Sequence, residues 1–134
     1  MDRLAGIALS LLRIVAGVLF VCAGGMKLLG WFGGVPGPPG APLPPLLQIA
    51  GVIELVGGAA ILLGLLTRPV AFLASGEMAV AYFRAHFPRG FWPIQNHGEP
   101  AVLLCFIFLL LSVTGGGPLS LDHAVALWRK SRRS

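Results

Sequence analysis

The stretch LLRIVAGVLFVCAGGMKLLG, residues 11–30, is apolar except for Arg13 near its start and Lys27 near its end. An apolar run of this length is enough to cross the hydrocarbon core of a membrane as a helix. A charged side chain inside such a helix costs roughly 2.5–3.5 kcal/mol to insert, so it marks a buried pairing or a function. The stretch therefore predicts a membrane helix whose charged face turns away from lipid.

The rest of the chain has the same character. Of its 134 residues, 56% are hydrophobic and only 11% are charged, whereas soluble domains contain about 25% charged residues. Apolar spans are predicted at roughly 5–29, 45–66, 69–87 and 98–115, and no small-residue cleavage site follows the first, which is expected to be retained. We predict a single domain over 1–134, an all-α bundle of four transmembrane helices with a short C-terminal amphipathic helix capped by Ser120.

The basic residues predict the orientation of this bundle. The net charge is +5, and with four spans both chain termini lie on one side of the membrane. That side holds six basic residues, namely Arg3, Arg68, Arg129, Lys130, Arg132 and Arg133. The positive-inside rule then places both termini in the cytoplasm of a bacterium, in its inner membrane. The basic tail is explained by the membrane surface, so no nucleic-acid partner is expected.

Charged residues inside the spans share faces with small residues, which is typical of packed interfaces between membrane helices. At a rise of about 1.5 Å per residue, Arg13 and Glu77 each lie about 12 Å from the cytoplasmic ends of their spans, which predicts a structural ion pair. Glu54 lies about 13 Å in from the outer side, without an obvious basic partner. Glu77 is too deep, on these numbers, to share a metal site with Glu54, His86 and Glu99.

The stretch FRAHFPRGFWPIQNHGEP, residues 83–100, carries two Arg, two His, one Asn, one Gln and one Glu. We expect it to form the lid of a polar pocket in the outer half of the bundle, ordered by its aromatic residues and prolines. Two cysteines, Cys22 and Cys105, lie at broadly similar depth, but a cysteine in an apolar helix is usually a small hydrophobic residue. No metal site is predicted, since no known metal-ligand spacing occurs.

Four segments of the chain resemble the DoxX family of small bacterial membrane proteins. They are LLRIVAGVLFVCAGGMKLLG, GVIELVGGAAILLGLLTRPVAFLASGEMAVAYF, HFPRGFWPIQNHGE and GGGPLSLD. The family features fall on Arg13, Lys27, Glu54, Arg68, Glu77, His86, Asn96 and Glu99. Namesakes of the family are similar to a subunit of a thiosulfate:quinone oxidoreductase, and members are linked to thiol and oxidative-stress balance.

The resemblance implies a quinone-linked redox protein or an accessory subunit of one, with quinone as the cofactor and a protein partner or a homo-oligomer in the bilayer. In this hypothesis Glu54, His86 and Glu99 are catalytic and exchange protons. The quinone or an anionic substrate is bound by Lys27, Arg84, Asn96 and Trp92.

Two alternatives stay open at this point. The protein could be a non-catalytic scaffold whose charged residues set the register of the helices. It could also be a small carrier assembled from several chains, and the first two spans do carry glycine pairs seven residues apart, 17/24 and 51/58.

Overall fold

The first helix begins at a side-chain cap. Asp2 Oδ1 accepts a hydrogen bond from the N–H of Ala5 at 2.7 Å, and α1 (Arg3–Leu29) ends at Gly30, which has a φ of 71°. This left-handed conformation is common just after a helix and is favoured by glycine. The computed structural model describes residues 2–134.

Five further helices follow α1, and residues 2–134 contain no β-strand. They are α2 (Pro45–Leu63, with a π-helical turn at Ile53–Gly57), α3 (Thr67–Ala81, continued by a π-helical turn at Tyr82–His86 and a 3-10 turn at Phe87–Arg89), α4 (Pro93–Asn96), α5 (Glu99–Thr114) and α6 (Leu121–Ser131). The predicted all-α class and the C-terminal helix are confirmed. By length and hydropathy α1 and α2 are able to cross a membrane, and α5 is apolar but shorter.

The turn between α2 and α3 lies earlier than the sequence predicts. The second helix ends at Leu63 rather than at residue 66, because Gly64 and Leu66 take left-handed backbone angles (φ 70° and 49°). The third begins at Thr67 rather than at residue 69. Side chains outside α2 and α3 supply the hydrogen bonds that this turn needs, which a local sequence pattern cannot reveal.

The helices pack as two pairs, α1 against α2 and α3 against α5. The rings of Phe20 in α1 and Phe108 in α5 join the pairs, with centroids 4.7 Å apart, and both side chains are fully buried. Around them lies a core of small and aliphatic residues that includes Ala16, Ile61 and Ala74. Small residues at such positions allow the close backbone approach that membrane helices use in place of a hydrophobic driving force.

Glycine pairs hold α1 and α2 together within one chain. A Cβ added at Gly17 would lie 2.6 Å from the backbone nitrogen of Leu62, and one at Gly58 would lie 2.7 Å from that of Val21. Gly24 and Gly51 lie in the same interface: a Cβ added at Gly24 would overlap the backbone of Leu55, and one at Gly51 would lie 2.8 Å from Cγ of Leu28. These glycines therefore serve an intramolecular contact, and their spacing gives no support to assembly of several chains.

Replacing Gly24 by Ala should lower the free energy of unfolding by about 1–3 kcal/mol, the usual effect of forcing a methyl group into a filled interface. The added Cβ would overlap the backbone nitrogen of Leu55, and a helix backbone cannot move as a side-chain end can. Gly76→Ala is the matched control, because no atom lies within 4 Å of its added Cβ. Denaturation in mild detergent, followed by circular dichroism, measures the free energy of unfolding of both variants. Equal losses of stability in the two variants would show that the α1–α2 contact is not tight.

The predicted ion pair between Arg13 and Glu77 is wrong. Arg13 is almost fully buried (1% exposed). Its guanidinium donates instead to backbone carbonyl oxygens: Nη1 to Ile61 (3.2 Å) and Leu62 (3.3 Å), and Nη2 to Leu119 (2.6 Å). The first two carbonyls belong to the last turn of α2, where the helix dipole places partial negative charge. Arg13 thus caps the C-terminus of α2 and attaches the segment before α6.

That segment, residues 115–122 (GGGPLSLD), also caps α3. Both carboxylate oxygens of Asp122 accept backbone hydrogen bonds: Oδ1 from Leu66 (2.8 Å) and Oδ2 from Thr67 (2.9 Å). The N-terminal N–H groups of a helix have no partner within the helix, so a distant carboxylate serves as their cap. Residues 115–122 therefore fasten the α2–α3 turn to the C-terminal helix, and Ser120 caps that helix as predicted, through the N–H of His123.

Because of the Asp122 cap, we expect the protein to lose stability at acid pH. Burial raises the pKa of Asp122, but the hydrogen bonds from Thr67 and Leu66, together with the charge of Arg13, outweigh burial and hold the pKa below its ordinary value. The ionised form therefore favours folding, and this contribution is present above about pH 4 and lost as pH falls through the folded-state pKa. Asp122→Asn should remove it, so that wild type and variant converge in stability at low pH. Melting curves between pH 3 and 7 measure this, with Glu99→Gln as the control; a constant difference would contradict it.

Candidate functional site

Lys27 and Glu54 form an ion pair between α1 and α2, with 2.7 Å from Lys27 Nζ to Glu54 Oε2. Within residues 2–134 it is the one salt bridge formed by side chains. Glu54 is 2% exposed and lies in the π-helical turn of α2, and a Cβ added at Gly51 would touch Lys27 Cβ at 3.2 Å. The sequence analysis assigned no basic partner to Glu54. Gly51, one turn before Glu54 and packed against Lys27, was the available signal that these two helices meet here.

Glu77 of α3 lies beside this pair. Its carboxyl group is close enough to that of Glu54 to share a hydrogen bond when one of them carries a proton, and its buried Oε2 has no partner in the described part of the chain. Counted from the turn that joins their helices, Glu54 lies nine residues before Leu63 and Glu77 ten residues after Thr67. The two carboxyls are therefore at one level, and the expectation that Glu77 lies too deep to meet Glu54 is wrong.

These three side chains line a cavity of about 860 Å³ between α1, α2, α3 and the start of α5. Most of its wall is apolar. The polar and charged side chains that line it are Lys27, Glu54, Glu77, Arg84 and His86. A mostly apolar pocket with a few convergent polar groups is the common form of a small-molecule site.

The cavity reaches the outer face of the bundle at apolar side chains. Four of its lining side chains, Ile49 from α2 and Phe72, Leu73 and Val80 from α3, are exposed on the outside of the bundle. The wall of the cavity on this side is therefore apolar where it meets the outside of the bundle.

Asn96 has a structural role at the predicted lid. Its Nδ2 donates to Tyr82 Oη (3.1 Å) and to the carbonyl of Gly90 (2.7 Å), and its Oδ1 accepts from the N–H of Gly98 (2.8 Å). Its own carbonyl is 3.1 Å from Nδ1 of His86, which it holds at the cavity. With its side chain fully buried and these bonds satisfied, Asn96 positions the segment 83–100 rather than lining the cavity.

The other sequence-predicted residues divide by location. Lys27, Glu54, Arg84 and His86 do line the cavity, whereas Trp92 and Glu99 are exposed and lie outside its lining. Trp92 instead ends a row of exposed, mutually contacting rings that runs from Phe83 through Phe87 and Phe91. Such a row is typical of the aromatic belt at a membrane interface.

The cysteines and the acidic groups form no further centre in the described residues. Cys22 and Cys105 are free thiols, and Ser75 Oγ donates to the carbonyl of Cys105 at 2.8 Å. Across residues 2–134, no three His, Cys, Asp or Glu side chains are grouped to hold a metal ion.

Together, the apolar helices and the lipid-facing cavity define a small helical membrane protein with a charged cluster in its interior. Residues 8–87 match the DoxX family, and the chain belongs to that family.

Three curated proteins illustrate the similarity. An uncharacterized protein of Haemophilus influenzae is 43% identical over 86% of this chain and 88% of its own length. The inner membrane proteins YqjF and YphA of Escherichia coli K12 are 32% and 30% identical, over 92% and 87% of this chain and 95% and 89% of theirs. No solved structure matches the chain.

Proposed function

We propose that this DoxX-family protein binds a quinone-type molecule from the bilayer and serves as a quinone-linked redox protein or an accessory subunit of one. The observation that carries the proposal is the cavity of about 860 Å³ that is apolar at its lipid-facing opening and charged at Lys27, Glu54 and Glu77. Quinones have this division of properties, since an isoprenoid tail is apolar and the ring carries two carbonyl oxygens.

The residues present fit such a head group. Lys27 and Arg84 are hydrogen-bond donors for carbonyl oxygens, and the buried Oε2 of Glu77 has no protein partner among the described residues. An orphaned buried oxygen is expensive unless a ligand or a proton satisfies it. A bound quinone would supply two-electron chemistry that takes up two protons.

The role of the chain's own residues follows from their charges. One ammonium group faces two carboxyl groups, so Lys27 balances one negative charge and the second carboxyl group is stabilised by a proton. Glu54 already has Lys27 as its partner, whereas the buried Oε2 of Glu77 has none among the described residues, so we assign proton exchange to Glu77. His86, which lines the same cavity and is half-buried, connects it to the outer surface.

Electrons would come from a partner protein, which is why an accessory subunit belongs to the proposal. We place the protein in the inner membrane, like its named relatives, with four spans and both termini in the cytoplasm. This orientation rests on the distribution of Lys and Arg.

Native mass spectrometry with added decylubiquinone tests the proposal. We expect wild type in mild detergent to retain the quinone, and both Glu77→Gln and Glu54→Gln to lose it or bind it at least about tenfold more weakly, as expected for one charge-assisted hydrogen bond. The matched control is Glu99→Gln, which removes an exposed carboxylate outside the cavity and should bind like wild type. Apo-protein in every sample would favour the scaffold alternative.

A further inference from the structure

A second cavity, of about 760 Å³, lies at the opposite end of the bundle, where the chain termini and the α2–α3 turn meet. The starts of α1, α3 and α6 surround it, together with the loop Thr114–Pro118. Its lining contains three basic side chains from three different helices, Arg3, Arg68 and His123.

The two arginines are available to an external anion. Neither forms a salt bridge with a described residue. The carboxylates that share the cavity are already engaged as helix caps, Asp2 with the N–H of Ala5 and Asp122 with those of Leu66 and Thr67. Two guanidinium groups without carboxylate partners around one cavity are suited to bidentate binding of a phosphate.

Glycines 115–117 leave one side of the cavity without side chains. Gly115 and Gly117 have φ of 82° and 80°, and a Cβ at Gly116 would lie 2.8 Å from Thr67 Oγ1. The N–H groups of Gly116 and Gly117 donate to no acceptor within residues 2–134. Bare backbone N–H groups next to arginines are the donors that phosphate oxygens use in glycine-rich loops.

The neighbouring helix α6 places this cavity at the membrane surface. It exposes Leu121, Val125 and Trp128, and the guanidinium of Arg132 lies 4.4 Å from the centroid of the Trp128 ring. Apolar and aromatic residues beside a basic run are typical of a helix that lies among lipid head groups.

We propose that the cavity bounded by Arg3, Arg68 and Gly115–Gly117 binds the phosphate of an anionic phospholipid. The basic tail of α6 attracts anionic lipids to this surface in general, and the cavity holds one of them in a defined position.

Titration of the full-length protein in mild detergent with phosphatidylglycerol, followed by native mass spectrometry, tests this. The Arg3→Gln/Arg68→Gln variant should bind the first lipid at least about tenfold more weakly, since each basic side chain near a lipid surface contributes about fivefold to binding. Arg129→Gln/Arg133→Gln removes the same charge from the tail, outside the cavity, and should weaken the first lipid by less than about threefold.

Three results would overturn the proposal. The first is equal weakening of lipid binding in the two double variants, and the second is unchanged lipid affinity in the Arg3→Gln/Arg68→Gln variant. The third is binding of inorganic phosphate as tight as that of the lipid, which would make this a site for a free anion. Should the double variant not fold, Arg68→Gln alone carries the test, with about fivefold weakening expected and wild-type affinity as the contrary result. Quinone binding is measured with variants of the other cavity, so failure of the lipid proposal and failure of the quinone proposal can be distinguished.

Discussion

Replacing Arg13 by Met should lower the free energy of unfolding by about 3–5 kcal/mol. The substitution keeps much of the apolar volume but leaves the carbonyls of Ile61, Leu62 and Leu119, which are buried or partly buried, without their donor. It also removes the positive charge at the C-terminus of α2. The measurement is denaturation of the protein in mild detergent micelles by sodium dodecyl sulfate, followed by circular dichroism.

Two controls isolate the hydrogen bonds. Arg84→Met removes an equal charge from an exposed side chain and should change stability by less than about 0.5 kcal/mol. Arg13→Lys keeps the charge but lacks the planar fork that reaches three carbonyls, so it should recover only part of the loss. A lysine variant as stable as wild type would show that charge alone matters at this position.

Replacing Lys27 by Met should also cost about 3–5 kcal/mol, because Glu54 would then be a buried carboxylate without its partner. Removing both members of the pair, as Lys27→Met/Glu54→Leu, should restore most of this stability, since well-packed apolar residues commonly replace a buried ion pair without loss. The same unfolding assay gives the coupling energy of the pair from the double-mutant cycle.

The double variant also separates stability from function. It should fold nearly as well as wild type and yet fail to retain decylubiquinone, because the Lys27–Glu54 pair that lines the cavity is gone. A double variant that is no more stable than Lys27→Met would contradict the assignment of the pair as a balanced ion pair. One that still binds the quinone would contradict the proposed site.

The helices could be predicted from the sequence because hydropathy and the Gly and Pro breakers act locally. The stripes of small and charged residues also indicated the inward faces correctly: Arg13, Gly17 and Gly24 in α1 and Gly51, Glu54 and Gly58 in α2 are all buried. The helix ends near residue 65 could not be placed, since the groups that cap them, Arg13 and Asp122, come from distant parts of the chain.

The charge partners were predicted wrongly for a physical reason. Depths counted from opposite faces of the bilayer carry the uncertainty of the membrane thickness and of each helix start, which together exceed one helical turn. Counting Glu54 and Glu77 from their shared turn removes both uncertainties and would have placed them side by side. The structural role of Asn96 depends on Tyr82, Gly90 and Gly98 meeting around it, which no spacing in the sequence indicates.

The unequal lengths of the helices have a consequence for the surrounding bilayer. The 27 residues of α1 span about 40 Å and the 16 residues of α5 about 24 Å, against a hydrocarbon core of about 30 Å. In the proposed four-span arrangement α1 fits by tilting, but α5 is matched only where the bilayer thins. Hydrophobic mismatch along this one side should therefore enrich short-chain lipids beside α5 and favour thin membranes.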